Sequence, residues 1–155
     1  MQHCADTFAV YNTIRSTYVN NEKETFTILT KQELPGSDDL PRNKPDLYLR
    51  GSKSYFIMFV HDIQPFLAKK LLATYIDHSE EGWDEEDIYP GLLFICRDIR
   101  QENRLIINAK NILEDMGIDE EELSIGVTTM KALLVKPHIK DVWKFIDKKR
   151  PVSLL

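Results

Sequence analysis

The stretch 44-KPDLYLRGSKSYFIMFVHDIQ-64 decides how the chain is read. DLYLR and SYFIMFV are two extended runs, and Gly51 and Ser52 between them supply a turn, so the stretch predicts a β-hairpin. The second run is almost continuously apolar, which places it inside a sheet with both faces covered. An acid stands at the start of the hairpin, Asp46, and another at its end, Asp62. Either the two carboxylates converge on a cation, or they close strand ends.

Working forward, Pro65 fits the first position of a helix, where its missing N–H costs nothing. FLAKKLLATYIDH continues that helix, with Phe66, Leu67, Leu71, Leu72 and Tyr75 as its expected buried stripe. After the acidic loop SEEGWDEEDIYPG, GLLFIC reads as a second buried strand. Asp98 is placed to cap a long helix from Ile99 to Met116, and Gly117 to end it. LSIGVTTMKALL predicts a further strand and IKDVWKFIDKK a final helix. Working backward, LPGSDDLPRNKP is a loop and ETFTILT a strand. Phe8, Val10, Tyr11, Ile14 and Tyr18 give residues 5–19 a helical pattern, with Asp6 or Thr7 as its cap. The predicted order is α-β-β-β-α-β-α-β-α, an α/β fold with a mixed central sheet flanked by helices.

A length of 155 residues fits a single domain spanning the chain, 1–155, and 43% hydrophobic with 29% charged residues is a globular composition. A net charge of -5 weighs against indiscriminate nucleic-acid affinity. Basic residues nevertheless gather locally: Arg42, Lys44, Arg50 and Lys53 around the hairpin, Lys69 and Lys70 in the helix after it, and Lys144, Lys148, Lys149 and Arg150 near the C-terminus. Of the two cysteines, Cys96 sits in LLFIC as a small hydrophobe and Cys4 is remote from it, so neither a disulfide framework nor a zinc knuckle follows. No apolar run approaches the roughly eighteen residues of a membrane span. The expectation is a cytoplasmic protein with no membrane association. A helical pattern directly after Met1 suits a domain excised from a longer protein, and a short natural protein as well.

The order helix, three strands, helix, strand resembles the common core of the PD-(D/E)xK, or restriction-endonuclease-like, superfamily. Pro45-Asp46 at the start of the second strand carries that likeness, with the apolar third strand and the helix near Phe66. More narrowly, the chain is similar to the C-terminal domain of the replication-relaxation family of plasmid and mobile-element proteins. The quoted residues are His3-Cys4-Ala5-Asp6-Thr7-Phe8-Ala9-Val10, then the Pro-Asp strand, YFIMFV, and a helix with Lys70 and Tyr75. The resemblance spans roughly residues 3–115 and implies an upstream winged helix and a role in DNA replication or mobilisation, with DNA or a replication or mobilisation protein as partner.

In an active member, carboxylates on two adjacent strands would hold Mg²⁺, which polarises the phosphate, and a polar residue two positions on would orient the attacking water. This chain departs from that pattern. With Val60 in the middle position, the second acid falls at Phe59 and the third residue at His61. Sliding the register gives catalytic candidates Asp46, Asp62 and Gln64, with Glu33 as an extra metal-site carboxylate, but a one-residue slip would turn the whole apolar face outward. Plainer roles stand beside these. Asp46 suits a turn, Asp62 a helix start, His61 a packed strand end, and Lys69 with Lys70 a solvated helix face. His3 and His78 are not paired by any metal-ligand spacing, and the loop Trp83 suits a protein contact.

The expectation that follows is a noncatalytic nuclease-fold domain acting through DNA or protein binding, with no cofactor. An active Mg²⁺-dependent DNA nuclease is the alternative. A domain for protein interaction or oligomerisation, without nucleic acid, is a third. For DNA, the candidate contacts are Arg42, Lys44, Arg50, Lys53, Lys69 and Lys70.

Overall fold

The hairpin forms where the sequence predicts it. In the computed structural model, which describes residues 8–9, 11–13, 15, 27–31, 33–34, 44–51, 53–81, 88–135, 142–152 and 154, β1 is Thr27–Thr30, β2 Leu47–Arg50 and β3 Tyr55–Phe59. The three make an antiparallel meander, with Thr30 opposite Leu47 and Leu47 opposite Ile57. Helix α1, Pro65–Glu81, then carries the chain to β4, Gly91–Cys96, which lies parallel to β3. Helix α2, Ile99–Met116, leads on to β5, Ile125–Thr129, parallel to β4. A short helix α3, Met130–Val135, and an antiparallel edge strand β6, Lys144–Phe145, complete a six-stranded mixed sheet in the order β1-β2-β3-β4-β5-β6.

Both crossover helices cover one face. Leu72, Tyr75 and Ile76 of α1 and Leu105, Ala109 and Leu113 of α2 share a core with Phe56, Met58, Leu92, Phe94 and Val127 of the strands. Leu47, Leu49, Ile57, Phe59, Leu93 and Ile95 point the other way, into a second core closed by Leu133 of α3, Trp143 and Leu154. Every residue of β3 and β4 is therefore buried, which is why these strands read as unbroken apolar runs rather than alternating ones. Gly91 opens β4 where a Cβ would come 2.7 Å from the Tyr55 ring.

Both ends of α2 are closed as expected. Asp98 accepts the Gln101 N–H at 2.9 Å, and Gly117 adopts the left-handed conformation, φ 69°, while Ile118 N–H returns to Leu113 O. Phe8–Ala9 and 11–13 are helical, in keeping with the opening pattern, and the rest of that segment lies outside the described residues.

Three expectations are corrected. The buried stripe of α1 is Ala68, Leu72, Tyr75 and Ile76, while Phe66 and Leu67 are exposed. Small Ala68 starts the true i, i+4, i+7, i+8 series, and bulkier neighbours disguise it. The run LSIGVTTMKALL does not stay extended: the strand stops at Thr129, whose hydroxyl accepts the Ala132 N–H at 3.1 Å and starts α3. The expected tail helix is replaced, over its described part, by β6 and a bridge between Trp143 and Val152. Trp143 and Phe145 enter the second core while Lys144 between them faces away, a period of two that WKF supports as well as a helical one.

Candidate functional site

Asp46 stands one residue before β2. Continuing the ladder one step sets it opposite Met58. Its Oδ2 accepts the backbone N–H of Phe59 at 2.8 Å, and its Oδ1 lies 3.5 Å from the Lys31 ammonium. Lys31 reaches it because it follows Thr30, the β1 partner of Leu47. The carboxylate thus caps the end of the β2–β3 ladder and pairs with a cation from the neighbouring turn.

Glu33 lies in that same turn. Its N–H donates to Thr30 O at 3.0 Å, and its carboxylate accepts from the Thr30 hydroxyl at 2.8 Å and the Thr30 N–H at 3.1 Å. These two bonds, the hydroxyl first, hold the Glu33 carboxyl below its ordinary range.

Strand alternation fixes what else faces Asp46. Leu47 and Leu49 enter the second core and Tyr48 packs against the first, so Asp46 belongs to the α1 side. On β3 and its continuation that side carries Met58 and Val60, both buried, whereas Phe59 points to the opposite core. Opposite Asp46 on this face stands a methionine, with a valine two residues further on.

Asp62 and Gln64 lie past the strand. Val60 N–H donates to Ile95 O at 3.0 Å, and Ile63 N–H returns to Val60 O, closing a turn. Both side chains are exposed there, and the Gln64 carbonyl accepts the Ala68 N–H to begin α1. His61 is buried, its ring packed at 6.1 Å against Phe59. Among the described residues no group of three or more His, Cys, Asp or Glu side chains is arranged to hold a metal.

The basic candidates fall in separate places. The Lys44 ammonium donates to Leu34 O at 3.3 Å. Arg50 lies over the Tyr48 ring, 5.8 Å from its centroid, and with Lys53 stands at the hairpin tip, at the far end of β2 from Asp46. Lys69 and Lys70 are exposed on α1. Arg42, His3 and Trp83 lie outside the described residues.

Gln101 and Glu102, in the first turns of α2, were not singled out by sequence. Both are buried. Gln101 donates from Nε2 to Val60 O at 2.6 Å and accepts the Arg97 N–H at 2.7 Å, tying the end of β3 to the end of β4. Asp98-x-x-Gln101 has the form of a capping box, which is the signal that would have marked it. Glu102, 2% exposed, sits 2.8 Å from the Lys144 ammonium of β6, and no local pattern announces a partner 42 positions away.

The nucleophilic groups nearby are held protonated. Burial pushes the Cys96 thiol up, reinforced by the negative Glu102 and Asp98. Burial likewise raises the Tyr75 and Tyr89 phenols, and Tyr89 OH lies 2.9 Å from His78 Nδ1. Asp46, Asp98 and Gln101 bond backbone groups at the ends of β3 and β4, while Glu102 pairs with the Lys144 side chain. Compared with protein-family models, curated proteins and solved structures, the chain matches none.

Proposed function

We propose that the chain is a noncatalytic domain built on a restriction-endonuclease-like core, and that it serves replication or mobilisation of a plasmid or other mobile element through DNA or protein binding. One observation carries the noncatalytic part. The Asp46 carboxylate is engaged by Phe59 N–H and Lys31, and the strand face opposite it offers Met58 and Val60. A hard divalent cation needs several converging oxygens, and an aliphatic and a thioether side chain supply none. The meander followed by a strand parallel to β3 supports the core assignment, and the mobile-element setting rests on the resemblance of the residues quoted above.

The test is incubation of the whole chain with plasmid DNA and Mg²⁺ or Mn²⁺, beside Asp46→Ala. No metal-dependent cleavage is expected. Cleavage by the wild type that disappears in Asp46→Ala would restore the active-nuclease reading. DNA binding that weakens steeply with salt supports the nucleic-acid role, because phosphate contacts release counterions. Indifference to DNA at low salt leaves the protein partner.

A further inference from the structure

Helices α1 and α2 carry their charges against their own dipoles. A helix N-terminus favours acids and its C-terminus favours bases. Yet α1 has no acid in its first turn, presents Lys69 and Lys70 just beyond it, and closes with Asp77, Glu80 and Glu81, all exposed, beside a half-buried His78 that bonds Tyr89. In α2, Arg100 and Arg104 stand exposed near the start, while Glu114 and Asp115 occupy a last turn that contains no base. The two acids at the start of α2 are already used, Asp98 as the cap and Glu102 against Lys144. Helix stability does not account for this placement.

Because β3 and β4 are parallel neighbours, both helices start at one edge of the sheet and end at the other. On the face these two helices cover, their charges therefore add into a cationic end and an anionic end. The cationic end also carries the exposed Asp62 and Asp98, and beside the anionic end Arg50 and Lys53 of the hairpin tip and Lys148, Lys149 and Arg150 after β6 are exposed as well. The anionic end extends through the turn after α2, where Asp119, Glu121 and Glu122 are exposed. Each end also shows apolar side chains to solvent: Phe66 (72% exposed) and Ile99 at the cationic end, Ile88 (95% exposed) and Met116 at the anionic one. Apolar side chains bordered by charge are the make-up of a contact surface. A polyanion would satisfy the first end and leave the second without explanation, whereas a second copy of the chain satisfies both.

We infer that the protein associates head to tail with itself, the cationic end of α1 and α2 in one copy resting on the anionic end in the next. Such a contact is heterologous, so each copy keeps one end free, and the assembly grows into a ring or an open filament. The inference does not rest on the nuclease-fold reading, and neither DNA binding nor its absence decides it.

Sedimentation velocity on the full chain over a wide concentration range tests it. At low salt the weight-average mass is expected to climb from one chain toward two and beyond, and to fall back as salt screens the contact. Lys69→Glu/Arg100→Glu reverses one end and Glu114→Lys/Asp115→Lys the other. Each variant alone is expected to stay monomeric, and an equal mixture of the two to form a mixed pair through the two native ends. Both reversals relieve the conflict with the helix dipole, so melting temperatures no lower than wild type confirm that the variants are folded. A wild type that stays monomeric at every concentration at low salt overturns the inference. So does association that one reversal variant loses and the other keeps, or association that both variants keep.

Discussion

The chain passes from strand to helix twice on the same face of the sheet, and the two junctions are built differently. From β4 to α2 the connection is two residues, and Asp98 within it caps the helix it begins. From β3 to α1 it runs through Val60, His61, Asp62, Ile63 and Gln64, and two polar side chains that bond the backbone at its start come from elsewhere. Asp46 arrives from the start of β2 to accept Phe59 N–H, and Gln101 arrives from α2 to bond Val60 O. One junction is closed by its own sequence and the other by residues 13 and 41 positions distant. The acid inside the β3–α1 junction, Asp62, is exposed, while the Asp46 carboxylate bonds Phe59 N–H and lies beside Lys31.

The largest expected effect concerns a long-range tie in the first turn of α2, just past the β4–α2 junction. Lys144→Met leaves the Glu102 carboxylate buried without its cation. The Lys144 side chain is 40% exposed, which keeps the expected loss to about 2–3 kcal/mol rather than the larger cost of severing a wholly buried pair. Adding Glu102→Leu is expected to recover much of it, since an apolar pair of similar volume removes the stranded charge. Urea unfolding of both variants measures this. A double variant no better than the single would show that the pair contributes more than mutual neutralisation.

Gln101→Ala comes next, because it breaks the link between the junctions. Val60 O loses its partner at a buried site and Arg97 N–H at a part-buried one, so a loss of about 2 kcal/mol is expected. Hydrogen exchange is expected to quicken at both strand ends together. Quickening at β4 alone would mean that the first junction holds itself, and the contrast between the two would fail.

Asp46→Ala is expected to cost about 1–2 kcal/mol by orphaning Phe59 N–H, and Asp46→Asn less, since its amide oxygen still accepts. Mg²⁺ is expected to leave the melting temperature of wild type and both variants unchanged. Stabilisation by Mg²⁺ in the wild type alone would mean that a ligand binds the native carboxylate.

These variants also show which parts of the molecule were legible in the sequence. The hairpin, the buried strands β3 and β4, and α2 with both its caps follow from local signals: an apolar run, a glycine turn, Asp98 and Gly117. Asp46 was legible as a strand-start acid, but the identity of its partners was not. Alternation counted from Leu47 would have put Met58 and Val60 on its face, whereas Lys31 and Phe59 N–H depend on pairing across the sheet. The tail misled for a physical reason: VWKFI suits a helix and a strand equally, and the second core, which takes both Trp143 and Phe145, favours the strand. Glu102 and Lys144 are ordinary surface residues in any local window, and only the β5–β6 pairing sets one against the other.

The smallest effect separates the two aspartates that seemed alike. Hydrogen bonding from Gln101 N–H, the largest cause, holds the Asp98 carboxyl below its ordinary value, with Arg97 and Arg100 adding to it. A folded-state pKa lowered in this way contributes stability that is present above the unfolded carboxylate value, about 3.9, and is lost as pH falls through the folded one. Melting temperature followed from neutral into acid is therefore expected to drop more steeply below about pH 4 in the wild type than in Asp98→Asn, which caps without titrating. Asp98→Ala is expected to be less stable than wild type at neutral pH, and Asp62→Ala to change stability least of all the variants. The difference follows from position alone. Asp98 stands three residues before the N–H it accepts, while the exposed Asp62 lies two residues before Gln64, whose carbonyl accepts the Ala68 N–H that opens α1. Equal losses from Asp62→Ala and Asp98→Ala would mean that the β3–α1 junction also carries its own cap, and that Asp46 and Gln101 merely reinforce it.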